Sequence, residues 1–212
     1  MPERYKENRA AWEELNPGWV CLDWQFGLPW MRNADLFHGC GTTWMPNRGD
    51  AKEASLVQVT QADIGAYELL WSLGGLYVNC DMRPVAPLPD WMRNADLVLA
   101  WEIDYVLLSN AFMAARPRHP FFDAVIEALP HNALNTPGGV DHATGPRFLT
   151  AMNERLRPSA AFLPAAACNP WLPGQAQNIY PNTICVHEWG HATSDESLWP
   201  DKPRQPGAQR YS

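Results

Sequence analysis

Hydrophobic and polar positions along the chain follow two periods, one helical and one extended. Across residues 55–73 the apolar side chains recur every three or four positions, and Gly74-Gly75 follows directly. This pattern predicts a helix that ends in a glycine C-cap. Gly65 lies inside that helix, where it costs about 1 kcal/mol relative to alanine, so we expect another group to pack closely against it.

The rest of the chain alternates between the two patterns. Helices are predicted over residues 2–15, 28–37, 120–129 and 145–156, a polar loop over 131–144, and strands over 19–24, 76–78, 97–101, 106–113, 160–163 and 183–186. Strands that alternate with helices, and are too few for a barrel, predict an α/β fold with an open sheet. We expect one domain over residues 1–200 and a disordered tail over 201–212.

The composition narrows the classes of partner. The 212 residues are 46% hydrophobic and carry a formal charge of −7, which argues against a nucleic-acid binder that relies on positive charge. No apolar run approaches the ~20 residues of a membrane span, so no transmembrane segment is expected. Five irregularly spaced cysteines, and an N-terminus without a signal-peptide pattern, favour a cytoplasmic protein with buried thiols.

Two polar residues follow the predicted strand at 76–78. Side chains two positions apart on a strand point the same way, so Asn79 and Asp81 are predicted to face one site, and Cys80 is predicted to be a buried thiol on the other side. Amide and carboxylate oxygens are hard ligands that suit Mg²⁺ or Mn²⁺, with diphosphate oxygens completing the shell. The end of this strand is therefore a candidate metal site.

The segment 62–81 resembles the DXD-motif glycosyltransferases of family 32, which include initiating mannosyltransferases of yeast and bacterial capsular sugar transferases. The family pattern is Ala-Ser-Asp-x-x-Arg-Tyr, a helix, and then Gly-Gly-x-Tyr-x-Asp-x-Asp. The chain matches it at Asp63, Tyr67, Gly74, Gly75, Tyr77 and Asp81. The resemblance implies a GT-A-like open mixed sheet with flanking helices. It also implies metal-assisted, retaining transfer of a hexose from a nucleotide diphosphate sugar to a glycan or another hydroxyl acceptor.

The same resemblance implies roles for individual residues. Asp81 would bind Mn²⁺ or Mg²⁺ directly, and Asn79 would contact the ribose and the sugar of the donor. Asp63 would accept hydrogen bonds from donor-sugar hydroxyls, and Asn110 would face the sugar. Tyr77 would contact the diphosphate or the ribose.

The remaining matched positions complete the expected site. Tyr67 and Gly75 belong to the donor-binding segment. His187 occupies the place of a C-terminal histidine that completes the metal or diphosphate site in the family, and His191 could replace or assist it.

Three features depart from the family pattern. Asn79 replaces the first Asp of the motif, Ala66 replaces an Arg that would steady the donor, and the chain begins after the point where the family's usual first strand would lie. These losses leave a second class of function open. In that class the protein binds a nucleotide sugar or a glycan without turnover.

The segment 187–191, His-Glu-Trp-Gly-His, raises a third class. It fits the pattern H-E-x-x-H, which on a helix supplies two Zn²⁺ ligands and the general base of a metallopeptidase. Its context is poor for that role. Gly190 disfavours a helix, the preceding residues are predicted as a strand, and no third ligand follows except Glu196. The transferase interpretation is preferred.

Overall fold

The structure is a computed structural model that describes residues 3–24, 30–40, 51–135 and 139–189. His191 and the tail predicted over 201–212 lie outside these residues. The helices are α1 Glu3–Leu15, α2 Ala34–His38, α3 Ala51–Leu73, α4 Pro120–Asn135, α5 Gly139–Ala143, α6 Pro146–Leu156 and α7 Ala165–Cys168, with a 3₁₀ helix at Asp90–Asn94. The strands are β1 Gly75–Val78, β2 Met82–Pro84, β3 Leu97–Ile103, β4 Leu107–Ala115, β5 Ala161–Leu163 and β6 Cys185–His187.

The main sheet is mixed and has the strand order β1-β4-β3-β5. Strand β4 runs antiparallel to β1 and to β3, and β5 runs parallel to β3. It follows that β1, β3 and β5 point in the same direction, so their C-terminal ends lie at one edge of the sheet. Strands β2 and β6 form a separate antiparallel pair in which Met82 lies opposite His187.

Apolar layers cover both faces of the main sheet. Leu97 and Leu99 of β3 pack with residues of α2, α3, α4 and α6, whereas Val98 and Ala100 pack with residues of α1, β2, α7 and β6. This alternation is the period of two that places successive strand residues on opposite faces. The result is the predicted mixed α/β architecture with helices on both sides of the sheet. Among the described helices, none combines the length and apolarity of a membrane span.

The long helix α3 ends as its glycines predict. The Gly74 N–H donates to the Leu70 carbonyl at 3.0 Å, and Gly74 and Gly75 have φ of 68° and 94°, which favour glycine. At Gly65 an added Cβ would lie 1.9 Å from the ring of Trp24. The close contact expected at Gly65 is therefore confirmed.

The prediction for residues 19–24 is wrong, because the chain there forms no strand. Trp19 closes a turn by donating its N–H to the Asn16 carbonyl, and Val20 and Leu22 are both exposed. The apolar side chains of this segment therefore do not indicate a strand.

Of the helix predicted over 28–37, the described residues 30–37 contain only α2, which begins at Ala34. The reason is a buried carboxylate. Glu68 accepts the backbone N–H groups of Arg32 and Asn33 at 3.2 and 2.9 Å, and these bonds hold a turn before the helix.

The polar loop predicted over 131–144 is also wrong. Helix α4 continues through Pro130 to Asn135, and α5 covers Gly139–Ala143. Buried Ala133 continues the apolar face of α4. The Asn132 amide donates to the carbonyls of His142 and Ala143 at 2.8 and 2.7 Å, which ties the two helices together.

Candidate functional site

Two of the predicted residues, Asp63 and Asn110, meet in a hydrogen-bonded cluster between α3 and β4. The Asn110 amide donates to Asp63 Oδ1 at 2.7 Å, and the Thr144 hydroxyl donates to Asp63 Oδ2 at 2.8 Å. Asp63 and Thr144 are buried, and Asn110 is half-buried. Thr144 was not among the predicted site residues. Its position directly before Gly145-Pro146 at the start of a predicted helix was the available signal.

Tyr67 lies behind this cluster, inside the core. Its hydroxyl donates to the Thr144 carbonyl at 2.7 Å, and its ring stacks against Phe122. Burial, together with the nearby Asp63 carboxylate, raises the pKa of Tyr67 well above its ordinary value, so the hydroxyl remains a donor. The structure thus gives Tyr67 a supporting position, in which it holds the residue that bonds Asp63.

Residues 79–81 form a turn rather than a continuation of the strand. Strand β1 ends at Val78, the Asn79 N–H donates to the Ala111 carbonyl, and the Met82 N–H donates back to the Asn79 carbonyl at 2.9 Å. The prediction of a buried Cys80 is wrong, because Cys80 lies in this turn and is exposed. Asp81, in contrast, is buried. Side chains alternate between two faces only within a strand, so this alternation does not apply to the turn at residues 79–81.

Tyr77 connects the turn to the Asp63 cluster. Its hydroxyl donates to Asn79 Oδ1 at 3.0 Å. Burial, and then the charge of Asp63, raises the pKa of Tyr77 far above its ordinary value, with smaller contributions from Cys80 and Asp81. The Tyr77 hydroxyl therefore stays neutral and lies within electrostatic range of both Asp63 and Asp81.

Gly75 lies at the start of β1, opposite Ala115, whereas Asn79 follows the end of the same strand. The structure therefore places Gly75 away from the strand end that carries the polar turn. Its positive φ gives it a part in directing the chain from α3 into β1.

The second pair of predicted residues, Asp81 and His187, also meets. Asp81 Oδ1 lies 3.3 Å from His187 Nε2, and both side chains are buried. The pairing of β2 with β6 brings them together, and the Glu188 N–H donates to the Asp81 carbonyl at 2.9 Å. The His187 ring stacks on Trp189, with ring centroids 4.0 Å apart.

The chemistry of this pair suits an octahedral divalent cation. Adjacent ligands on an ion with bonds of about 2.0–2.1 Å lie about 3 Å apart, close to the separation of Asp81 Oδ1 and His187 Nε2. The described residues contain no group of three or more His, Cys, Asp or Glu side chains that could hold a metal. A cation at this pair would need ligands beyond Asp81 and His187 to complete an octahedral shell.

The zinc metallopeptidase interpretation requires a helix, and the described residues 187–189 are not helical. His187 ends strand β6, and Trp189 has a φ of 54°. Glu188 accepts hydrogen bonds from Arg83 Nε at 3.2 Å and from Asn8 Nδ2 at 3.4 Å, which is a structural role at the β2–β6 pair.

Sequence reasoning missed a buried carboxyl group at Glu102, near the C-terminal end of β3. Burial raises the pKa of Glu102 to about 8; Asp141 raises it further and Arg147 opposes the shift. Asp141 also raises the pKa of Tyr67, so its charge acts on both the Glu102 carboxyl and the Tyr67 hydroxyl. The available signal was a lone carboxylate inside the apolar strand Leu97–Ile103.

Comparisons with known proteins give distant relatives whose names refer to mannosyl groups. No family model matches the chain. It is 24% identical over 166 residues, or 74% of its length, to mannosyl phosphorylinositol ceramide synthase of Saccharomyces cerevisiae. It is 26% identical over 139 residues, or 63% of its length, to inositol phosphoceramide mannosyltransferase 2 of Schizosaccharomyces pombe. It is 24% identical over 99 residues, or 47% of its length, to the initiation-specific alpha-1,6-mannosyltransferase of Candida albicans.

The aligned segments span 40%, 36% and 24% of these three relatives' own lengths, in the same order. Among solved structures, the PaToxG glycosyltransferase aligns with a TM-score of 0.49 and 14% identity, over 74% of this chain and 64% of that one. The relatives support glycosyl transfer as the general class of activity.

Proposed function

We propose that this chain is a glycosyltransferase domain that moves a hexose from a nucleotide diphosphate sugar to a hydroxyl acceptor. One observation carries the proposal. Asp63 and Asn110, two residues expected to meet the donor sugar, form one hydrogen-bonded cluster. The distant relatives are named for mannose transfer, which makes mannose the first donor sugar to test.

The cluster is preorganised for a sugar. Both oxygens of Asp63 are held, one by Asn110 and one by Thr144, so the carboxylate has a fixed orientation before any ligand arrives. A carboxylate with about four acceptor sites can accept sugar hydroxyls in addition to such bonds. Fixing these groups in advance lowers the entropic cost of positioning the donor.

The diphosphate would lie at the turn that follows β1. Asn79 is oriented there by the Tyr77 hydroxyl, and Asp81 lies beside His187. Asp81 and His187 would hold Mn²⁺ or Mg²⁺, which when bound neutralises charge on the departing nucleoside diphosphate. Asn79 carries no charge, so the carboxylate of Asp81 supplies the negative charge at this turn.

Transfer in this proposal retains the configuration of the sugar. The bond between the anomeric carbon and the diphosphate oxygen breaks, and a bond to the acceptor oxygen forms on the same face. The proton of the acceptor hydroxyl passes to the departing diphosphate oxygen, so atoms and charge balance without a protein base.

Release of nucleoside diphosphate from a panel of UDP- and GDP-sugars, GDP-mannose first, tests the proposal. Wild-type protein is expected to release the nucleotide with Mn²⁺ present and much less with a chelator. Asp81→Ala should abolish release, and Asp90→Ala, which removes an exposed carboxylate from the 3₁₀ helix, should not. Binding of a donor without release for every sugar would contradict the proposal and favour the non-catalytic binder.

A further inference from the structure

Aromatic side chains cluster at the end of the β3–β4 hairpin. The rings of Trp101 and Phe162 are stacked, with centroids 5.5 Å apart and planes at 21°, and Tyr105 lies 5.8 Å from Trp101. Tyr105 is 89% exposed and Phe162 is 41% exposed. The cluster therefore presents flat apolar faces to solvent, which is unusual for stacked rings in a core.

This cluster lies at the sheet edge that carries the candidate site. Trp101 is near the C-terminal end of β3, and Phe162 is on the neighbouring parallel strand β5. Because β1 and β3 both run antiparallel to β4, the end of β3 lies at the same edge as the turn 79–81. Ligands of open α/β sheets bind at this edge.

The backbone at Tyr105 is in a conformation that a large side chain rarely adopts. Tyr105 has a φ of 60° in the turn that the Val106 N–H closes on the Ile103 carbonyl at 3.0 Å. Glycine or asparagine adopts this conformation at lower cost. A bulky, solvent-exposed ring held there at a cost in stability points to a use for the ring outside the fold.

A polar group accompanies the rings. Glu102, the residue after Trp101, is 6% exposed. The charged groups that act on it are Asp141 and Arg147, which pair with each other at 2.8 Å. With its pKa raised to about 8, the carboxyl is largely protonated at neutral pH, so it can both donate and accept a hydrogen bond.

We propose that Trp101, Tyr105, Phe162 and Glu102 form the acceptor subsite, and that its ligand is a pyranose ring. One face of a pyranose is lined by C–H groups and can stack on aromatic rings, while its hydroxyls point outward from the rim. Glu102 hydrogen-bonds one of these hydroxyls. The proposal rests on the proposed function for its catalytic meaning, but the binding of the ring can be measured without turnover.

Saturation-transfer difference NMR with methyl α-mannoside measures that binding directly. Two variants leave the core intact: Phe162→Ala removes an exposed ring, and Tyr105→Asn places a residue that tolerates the positive φ. Each is expected to weaken the transfer signal roughly fivefold. Trp91→Ala is the matched control, because Trp91 is an exposed ring beside Leu97 and Ala161, at the starts of β3 and β5. Its signal should equal that of wild type.

Glu102 is tested by a pair of variants in the same experiment. Glu102→Gln keeps a donor and an acceptor and should retain the mannoside signal, whereas Glu102→Leu should lose most of it while thermal unfolding stays cooperative. An unchanged signal in Phe162→Ala, Tyr105→Asn and Glu102→Leu would overturn the proposal. So would loss of binding to phosphatidylcholine vesicles in Phe162→Ala with an unchanged mannoside signal, since the rings would then contact a membrane.

Two rates separate this inference from the proposed function. Donor hydrolysis by water needs the donor site alone, whereas transfer to methyl α-mannoside needs both the donor site and the acceptor subsite. Phe162→Ala should leave hydrolysis unchanged and raise the KM for the mannoside roughly fivefold. Absence of hydrolysis in wild type with every donor would refute the proposed function, and an unchanged KM with normal hydrolysis would refute the acceptor subsite.

Discussion

The side-chain amide of Asn110 donates a 2.7 Å hydrogen bond to Oδ1 of Asp63, across 47 positions of the sequence. The contact joins the middle of α3 to Asn110, the half-buried residue of the otherwise buried strand β4. It also fixes the Asp63 carboxylate at one oxygen, and Thr144 bonds the other. The orientation of Asp63 is therefore a property of the fold and precedes any ligand.

Asp63 and Asn110 are expected to act as a unit. Asp63→Ala and Asn110→Ala should each lower donor hydrolysis about 100-fold, because each removes a group that positions the sugar. The double variant should be little worse than either single one, which corresponds to a coupling of about 1–3 kcal/mol. Rates of donor hydrolysis for the four proteins measure this coupling. Fully additive losses, with Asp90→Ala as an unaffected control, would show that the two side chains act separately.

Alanine substitutions at Gly74 and Gly75 separate the cost of backbone strain from the cost of a steric clash. Both have positive φ, so alanine is strained at either position by about 1–2 kcal/mol. At Gly74 an added Cβ would also lie 2.6 Å from the Pro117 backbone nitrogen, whereas at Gly75 nothing lies within 4 Å. Gly74→Ala should therefore destabilise the protein by a further 1–3 kcal/mol or so relative to Gly75→Ala. Urea unfolding compares them, and equal losses would contradict the steric account.

Glu102 should make stability fall as the pH rises. Its ordinary pKa is 4.5, and burial raises it to about 8 in the folded state. Between these values the folded protein keeps a proton that the unfolded chain releases, so the free energy of unfolding decreases as pH increases. Glutamine does not titrate, so Glu102→Gln removes this pH dependence of the free energy of unfolding. The stability of the variant relative to wild type should increase by a few kcal/mol from pH 5 to pH 8. Urea unfolding at both pH values tests this, and a constant difference would show that burial does not shift the pKa.

Cys80 offers a reporter in the turn between Asn79 and Asp81. It is exposed, whereas Cys40, Cys168 and Cys185 are buried, and burial raises the pKa of Cys185 well above its ordinary value. A maleimide should label Cys80 first, and a bound nucleotide sugar should slow the reaction about tenfold by covering the turn. Peptide mass spectrometry identifies the labelled residue. Cys80→Ser should remove the fast phase, and labelling that a saturating donor leaves unchanged would place the donor elsewhere.

The sequence predicted those elements whose apolar side chains follow one regular pattern and are buried by the rest of the fold. Helix α3 and strands β3 and β4 are of this kind, and they carry Asp63 and Asn110. The segment 19–24 has apolar residues too, but its partly buried side chains, Trp19, Cys21 and Trp24, pack against the core without the segment forming a strand. The helical extension to Asn135 escaped prediction because Pro130 and the polar residues after it are typical of a loop, whereas burial of Ala133 maintains the helix.

A repeated segment shows why local sequence was insufficient. The heptapeptide Trp-Met-Arg-Asn-Ala-Asp-Leu occurs at 30–36 and again at 91–97. In the first copy Glu68 binds the backbone before Ala34, and a helix begins there. In the second copy the 3₁₀ helix Asp90–Asn94 ends and β3 begins at Leu97. The conformation of each copy therefore depends on tertiary contacts. The Asp81–His187 and Asp63–Thr144 contacts also join residues that are far apart in the sequence, so local patterns do not predict them.

The affinity of a productive nucleotide sugar, measured by isothermal titration with and without Mn²⁺, tests the central claim most directly. The account predicts that Mn²⁺ tightens binding to wild type and to Asp90→Ala. It also predicts that Asp81→Ala and His187→Ala weaken the metal-dependent binding about tenfold or more, because each variant removes one ligand of the cation. Equal affinities in all four proteins, with the same response to Mn²⁺, would show that the turn after β1 does not hold the diphosphate.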